Sequence, residues 1–139
     1  MNATLSYAAY PIGYIRSELK SREFAPRQGS EGAPEAWLEM NPAFADGIRD
    51  IEAGDEIIVI TWLHEAVRTE LQVHPRGDVT VPLAGVFSTR SPARPNPLGL
   101  HRVTVHDVSG SRLRIGPMEA IDGTPVVDIK PVLQESTDS

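Results

Sequence analysis

Apolar residues in this chain come in short runs parted by turn residues, and only one stretch carries a helical period. "EIIVITWL", Glu56 to Leu63, is a near-continuous apolar run of strand type. "LHRVTVHDV", Leu100 to Val108, alternates apolar and polar side chains. "SGSRLRIGPM" predicts a tight turn at Ser109-Gly110 and then a strand with Leu113 and Ile115 inward. "IDGTPVVDIKPVL" places a turn at Asp122-Gly123 before a last short strand. At the start, "YAAYPIGYIRS" predicts a first strand, broken or bulged near Pro11 and Gly13. "AVRTELQV" alternates and is expected to pair with the Glu56–Leu63 run; "AGVF" reads as a strand and "HPRGD" as a plain turn. The one helix candidate is "NPAFADGIRDIEAGD": Asn41 can cap it, Pro42 suits its first position, Phe44, Ile48 and Ile51 recur at helical spacing, and Gly54 ends it. "ELKSREFAPRQGSEGAPEAW", with Pro26, Gly29, Gly32 and Pro34, reads as a long loop. Many short strands with one helix predict a small all-β barrel or a β-rich mixed fold.

Composition narrows this picture. The 139 residues suit one domain, 1–139, with a core over about 11–133 and a tail, 134–139, expected to fray. The absence of cysteine excludes disulfides, thiolate zinc sites and cysteine nucleophiles, and suits a reducing cytoplasm. No run reaches membrane-spanning length and the first residues lack a signal-peptide pattern, so a cytoplasmic protein without membrane association is expected. The net charge of −6 argues against non-specific nucleic-acid binding. It is unevenly spread: Glu31 to Glu70 holds ten acids against Arg49 and Arg68, whereas Ala84 to Pro117 holds five arginines against Asp107 alone.

Familiar catalytic signatures are missing: no phosphate-binding glycine loop, no GxSxG and no His-Glu-x-x-His. The four histidines fall at no convincing ligand spacing, and no metal is expected. Four features remain. Pro26-Arg27-Gln28 sets a guanidinium beside a carboxamide, a pair able to grip a carboxylate or a base edge. His64-Glu65 stands where the Glu56–Leu63 run turns abruptly polar, as at a cavity mouth. "STRSPARPNPLGL", Ser88 to Leu100, packs Pro92, Pro95 and Pro97 around Arg94 and Asn96, close to Arg90; prolines lower the entropy lost in holding one shape, so such a loop presents its polar groups rigidly. The fourth is the turn "DGTP", Asp122 to Pro125. Taken alone, the first is better explained as a solvated loop triplet, the second as a strand emerging into solvent, and the fourth as only a turn.

"GVFSTRSPARPNPLGL" and "DGTPVVDIKP" closely resemble the two hallmark blocks of the TsaA-like, or TrmO, family. The order "IGYIRS", "PRQ", a strand ending in His, then the two blocks also fits, over Pro11 to Leu133. The resemblance implies a small closed β-barrel that binds S-adenosylmethionine, as a homodimer with the ligand near the subunit interface. It implies N6-methylation of threonylcarbamoyladenosine at position 37 of tRNA. Carried over by motif, the ligand contacts are Pro26, Arg27, Gln28, His64, Glu65, Arg90, Leu100, Ile121, Asp122, Gly123 and Thr124, with Arg94 and Asn96 on the acceptor side. The tRNA-modifying members of this family carry a further C-terminal domain, whereas this sequence stops soon after its DIKP block, so a short form is expected.

Methyl transfer from a sulfonium releases a neutral leaving group, so catalysis depends on holding the reacting atoms in line. No catalytic residue is assigned. His64 and Asp122 are the only proton acceptors the motifs place near the site. Three readings stay open: an RNA methyltransferase, a small-molecule methyltransferase, and a domain that binds the cofactor without transfer.

Overall fold

In a computed structural model of the chain, which describes residues 5–20 and 32–133, six strands close into a barrel. They are β1 (Gly13–Arg16), β2 (Ala36–Met40), β3 (Glu56–Trp62), β6 (Leu98–Ser109), β7 (Arg112–Gly116) and β8 (Pro125–Pro131). Around the wall they run β1-β2-β7-β6-β3-β8, every neighbouring pair antiparallel. Two short strands, β4 (Gln72–Val73) and β5 (Ala84–Gly85), pair separately as an arm outside the barrel.

Alternation explains the wall. Ile57, Val59 and Thr61 of β3 point inward, as do Val103 and Val105 of β6 and Leu113 and Ile115 of β7. Together with Ile15, Leu38, Met118 and Val126 they fill the interior, and each of these four is fully buried. Closure removes the exposed edges that an open sheet of these strands would leave.

The closed barrel, the two turns and the last strands match expectation, and the first strand is present but shorter, Gly13–Arg16 with no strand before Gly13 among the described residues; four further local readings need correction. Ala36–Met40 is a strand, where a loop was expected as far as Trp37; Ala36, Leu38 and Met40 turn inward while Trp37 and Glu39 turn out. The "AVRTELQV" segment does not pair with β3, whose two neighbours are β6 and β8; only its last two residues form a strand, on β5. "AGVF" contributes two strand residues and then enters a 3-10 turn, Val86–Ser88. The expected helix is a 3-10 segment, Pro42–Ile48, one of three such segments among the described residues. Asn41 does cap it, its side chain accepting from the Ala43 amide. It stops well before Gly54 because Arg49 is extended and Asp50 takes a left-handed conformation at φ 76°, which no helix continues through. The expectation of a frayed tail falls on residues outside those described.

Candidate functional site

The strand register carries most of the predicted site to one rim. Thr61 stands opposite both Gly99 and Val126, and Trp62 opposite Leu98. The exit of β3 therefore lies beside the entries of β6 and β8. β1 ends there too, with Tyr14 opposite Pro125, and Arg16 opposite Trp37 near the start of β2. His64-Glu65, the proline loop and the Asp122–Thr124 turn thus leave from one end of the barrel. The Pro42–Ile48 segment and the Ser109-Gly110 turn occupy the other.

Cross-bonds fix these segments to each other. The Leu63 amide donates to the Pro97 carbonyl (2.8 Å), and the Arg94 amide to the Val67 carbonyl (3.1 Å). Arg68 stacks over the Trp62 ring, 4.9 Å from its centroid, and its Nε donates to the Pro95 carbonyl (2.7 Å). A further guanidinium nitrogen reaches Asn96 Oδ1 (3.4 Å).

Arg94, expected on the acceptor side, turns its guanidinium onto the backbone of its own loop. Its Nε donates to the Ser91 carbonyl (2.8 Å), and one terminal nitrogen donates to the carbonyls of Thr89 (2.5 Å) and Val86. A forked donor suits this task, since it can close several turns of irregular backbone at once. Thr89 and Ser91 hydroxyls accept from amides two residues on, completing the loop's internal bonding. Arg90 behaves differently. It is exposed and, among the described residues, makes no hydrogen bond or ion pair, so its guanidinium is available to an anion.

The Asp122–Thr124 turn is bound to the end of β1. The amides of Asp122 and Gly123 donate to the Leu19 and Ile15 carbonyls (2.6 and 2.7 Å), and the Thr124 amide and hydroxyl both donate to the Ile121 carbonyl. Asp122 Oδ1 accepts from the Ser17 amide (2.9 Å) and its other oxygen lies 3.1 Å from Lys20 Nζ. The Ser17 bond first, then Lys20, holds this carboxyl below the usual carboxylate range. It is a fixed anion that shapes the turn and a weak base. Ile121 and Thr124 are buried, whereas the carbonyls of Asp122 and Gly123 accept no bond among the described residues.

His64 and Glu65 are exposed, 3.8 Å apart. Leu100 points outward beside Leu98, both about half exposed on the outer face of β6 and close to the half-buried Ile60 and Trp62 of β3. Pro26, Arg27 and Gln28 lie outside the described residues; Lys20, the residue before that segment, is held at the Asp122 turn. Two open clefts adjoin the rim. One, of about 520 Å³, is lined by Asp122, Lys20, Arg16 and Trp37. The other, of about 510 Å³, separates the β4–β5 arm from Ser91–Ala93. Neither encloses His64, Arg90 or Leu100, which stand on open surface. No group of three or more His, Asp or Glu gathers to hold a metal ion among the described residues, and no helix among them is long and apolar enough to cross a membrane.

Sequence reasoning missed a polar chain under this rim: the buried Thr61 and His101, and the partly buried Glu119. Its one sequence signal is a histidine on the inward face of β6, between Gly99 and Val103, where an imidazole demands partners.

The geometry can be set beside known proteins. A family model described as the tRNA-methyltransferase O N-terminal domain matches residues 14–139. An Archaeoglobus fulgidus "S-adenosyl-L-methionine-binding protein" is 42% identical over 120 residues, covering 86% of this chain and 85% of that one. A Methanothermobacter thermautotrophicus protein of similar name is 42% identical over 125 residues, covering 90% and 89%. A crystal structure of TrmO from Pseudomonas aeruginosa superposes with a TM-score of 0.77 at 28% identity, over 97% of this chain; the chain spans 60% of that longer one.

Proposed function

Because this chain belongs to the tRNA-methyltransferase O N-terminal-domain family, we propose that it is an S-adenosylmethionine-dependent methyltransferase whose cofactor binds at the rim just described. The observation that carries the reading is convergence: segments far apart in sequence, 63–65, 88–100 and 121–124, leave one end of the barrel.

The donor set fits the cofactor. Arg90 offers an unengaged guanidinium to a carboxylate. The carbonyls of Asp122 and Gly123 suit the amino group of an adenine, and Leu98 and Leu100 offer it an apolar face. Glu65, beside His64, would set an acid near the cationic sulfur. Pro26, Arg27 and Gln28 complete the contact set by family motif. Bound there, S-adenosylmethionine supplies a methyl group on a cationic sulfur. The chain's own part is positioning: Arg94, Arg68 and three prolines hold the Arg90 loop in one shape, and Asp122 holds its turn to β1. Asn96 remains on the acceptor side of this loop, where Arg94 serves from within.

The acceptor we propose is N6 of threonylcarbamoyladenosine at position 37 of tRNA, or a related RNA adenine, in the cytoplasm. A small-molecule acceptor is the alternative favoured by the net charge of −6. A homodimer completes the site. His64, Arg90 and Leu100 are left open by one copy, and large apolar side chains stand exposed where the Arg90 loop begins, Phe87 at 78% and Leu71, whose carbonyl bonds the Val86 amide, at 62%. Mixing the protein with cofactor labelled in its methyl group, total tRNA and a metabolite extract tests the reading. Label in tRNA supports the RNA acceptor, label in metabolites alone supports the alternative, and saturable binding without transfer reduces the protein to a binding domain.

A further inference from the structure

The polar chain beneath the rim has a role that none of the sequence motifs assigns. Thr61 of β3 and His101 of β6 both point inward and both are buried. Thr61 Oγ1 lies 2.7 Å from His101 Nε2, and His101 Nδ1 lies 2.6 Å from Glu119 Oε1. With a neutral ring protonated at Nδ1, every group has one use: the threonine hydroxyl donates to Nε2, and Nδ1–H donates to the carboxylate. No buried side-chain nitrogen or oxygen among the described residues is left without a partner. The threonine is fully enclosed, so this is not a nucleophile with its base. Gly99 belongs to the same unit. It faces inward opposite Thr61, and a Cβ built on it would stand 2.6 Å from His101 Nε2, a space only glycine leaves open.

Each member is tied by the chain to a site segment. Thr61 precedes His64 by three residues, His101 follows Leu100 directly, and Glu119 precedes Ile121 by two. Residues 117–124 have no strand of their own; Met118 packs into the core, and the Glu119 bond is a side-chain hydrogen bond that joins them to the β6 wall. We propose that Thr61, His101 and Glu119 are positioning residues, a latch with a buried core that holds the 121–124 turn at a fixed distance from the β3 exit and from Leu100. This rests on reading the rim as the cofactor site, although the latch itself can be tested without ligand.

Two matched pairs of variants make the test. Glu119→Gln keeps an oxygen to accept from Nδ1–H, whereas Glu119→Ala leaves that donor buried and unpaired. Thr61→Ser keeps the hydroxyl, whereas Thr61→Val keeps the shape and loses it. Val105→Ala, in the core towards the far rim, serves as a control that destabilises without touching the latch. Hydrogen exchange of the free protein is read at the amides of Met118, Asp122, Gly123 and Thr124, and S-adenosylmethionine affinity is read by calorimetry. Glu119→Ala and Thr61→Val are expected to speed exchange there and to weaken binding by about tenfold or more, the scale of a small misplacement of a contact. Glu119→Gln, Thr61→Ser and Val105→Ala should stay within about threefold of the parent in affinity. Equal weakening in Val105→Ala, or unchanged exchange and affinity in Glu119→Ala, overturns the proposal. If the parent protein binds no S-adenosylmethionine, the cofactor reading fails, and the exchange data alone decide the latch. Should Thr61→Val not fold, the Glu119 pair carries the same decision.

Discussion

Replacing Arg94 separates two roles that an arginine in a proline loop can play. If its guanidinium faced a ligand, Arg94→Lys would leave the free protein unchanged. The structure instead has it donating to the carbonyls of Val86, Thr89 and Ser91 from within the loop. A hydrogen bond of this kind contributes about 1 kcal/mol net, and more when one partner is charged; partial exposure of the group argues for the lower figure. Three contacts then stabilise the loop by about 2–3 kcal/mol. Lysine carries a point charge that cannot serve three carbonyls at once, so it should recover about a third of that. The assay is native-state hydrogen exchange at the amides of Thr89, Ser91, Ala93 and Arg94, all bonded within this loop or to Val67. At about 1.4 kcal/mol per factor of ten, Arg94→Ala should speed their exchange by roughly 30- to 150-fold. The amides of β7 should keep their protection, because the loop can open without the barrel. Exchange in Arg94→Lys or Arg94→Ala indistinguishable from the parent would refute the inward role.

Other expectations follow from single contacts. Asp122→Ala strands the Ser17 amide and should cost about 2 kcal/mol in urea unfolding, whereas Asp122→Asn, which keeps an acceptor there, should cost under about 1 kcal/mol. The Asp122 carboxyl is held low by the Ser17 amide and Lys20, so its contribution is present above the ordinary carboxylate range and is lost as pH falls through the folded-state value. The gap between the parent and Asp122→Asn should therefore narrow between pH 7 and about pH 3; a gap that widens contradicts the assignment. Gly99→Ala drives a methyl into His101 and should destabilise by about 1–3 kcal/mol, measured by thermal unfolding. Sedimentation velocity should find a dimer in the parent and a monomer in Leu98→Asp; a parent that sediments as a monomer removes the dimer reading.

The inward positions were legible wherever alternation was uninterrupted, as at Leu113 and Ile115, and the turns wherever glycine marked them, as at Gly110 and Gly123. Pairing partners were not. β3 takes its neighbours from β6 and β8, much later in the chain, and alternation says which face is buried without saying against which strand. Ala36–Met40 was hidden because it is short and sits between a proline-rich stretch and Asn41-Pro42. The proline loop announced a rigid presentation of polar groups, yet only the folded loop separates Arg90, which is open, from Arg94, which is a brace. Glu119 could not be paired with His101 in advance, since it lies in a segment without regular structure whose course depends on the closed barrel.

The proposed cofactor site is the rim where β3 ends and β6 and β8 begin. It is tested most directly by titrating isotope-labelled protein with S-adenosylmethionine, and with S-adenosylhomocysteine in parallel, while following each backbone amide by nuclear magnetic resonance. Saturable shifts are expected at His64, Glu65, Arg90, Leu100 and Ile121 to Thr124, with the Pro42–Ile48 segment and the Ser109-Gly110 turn unmoved. Saturable shifts centred on that opposite end, or none anywhere in a folded protein free of co-purified ligand, would contradict this placement.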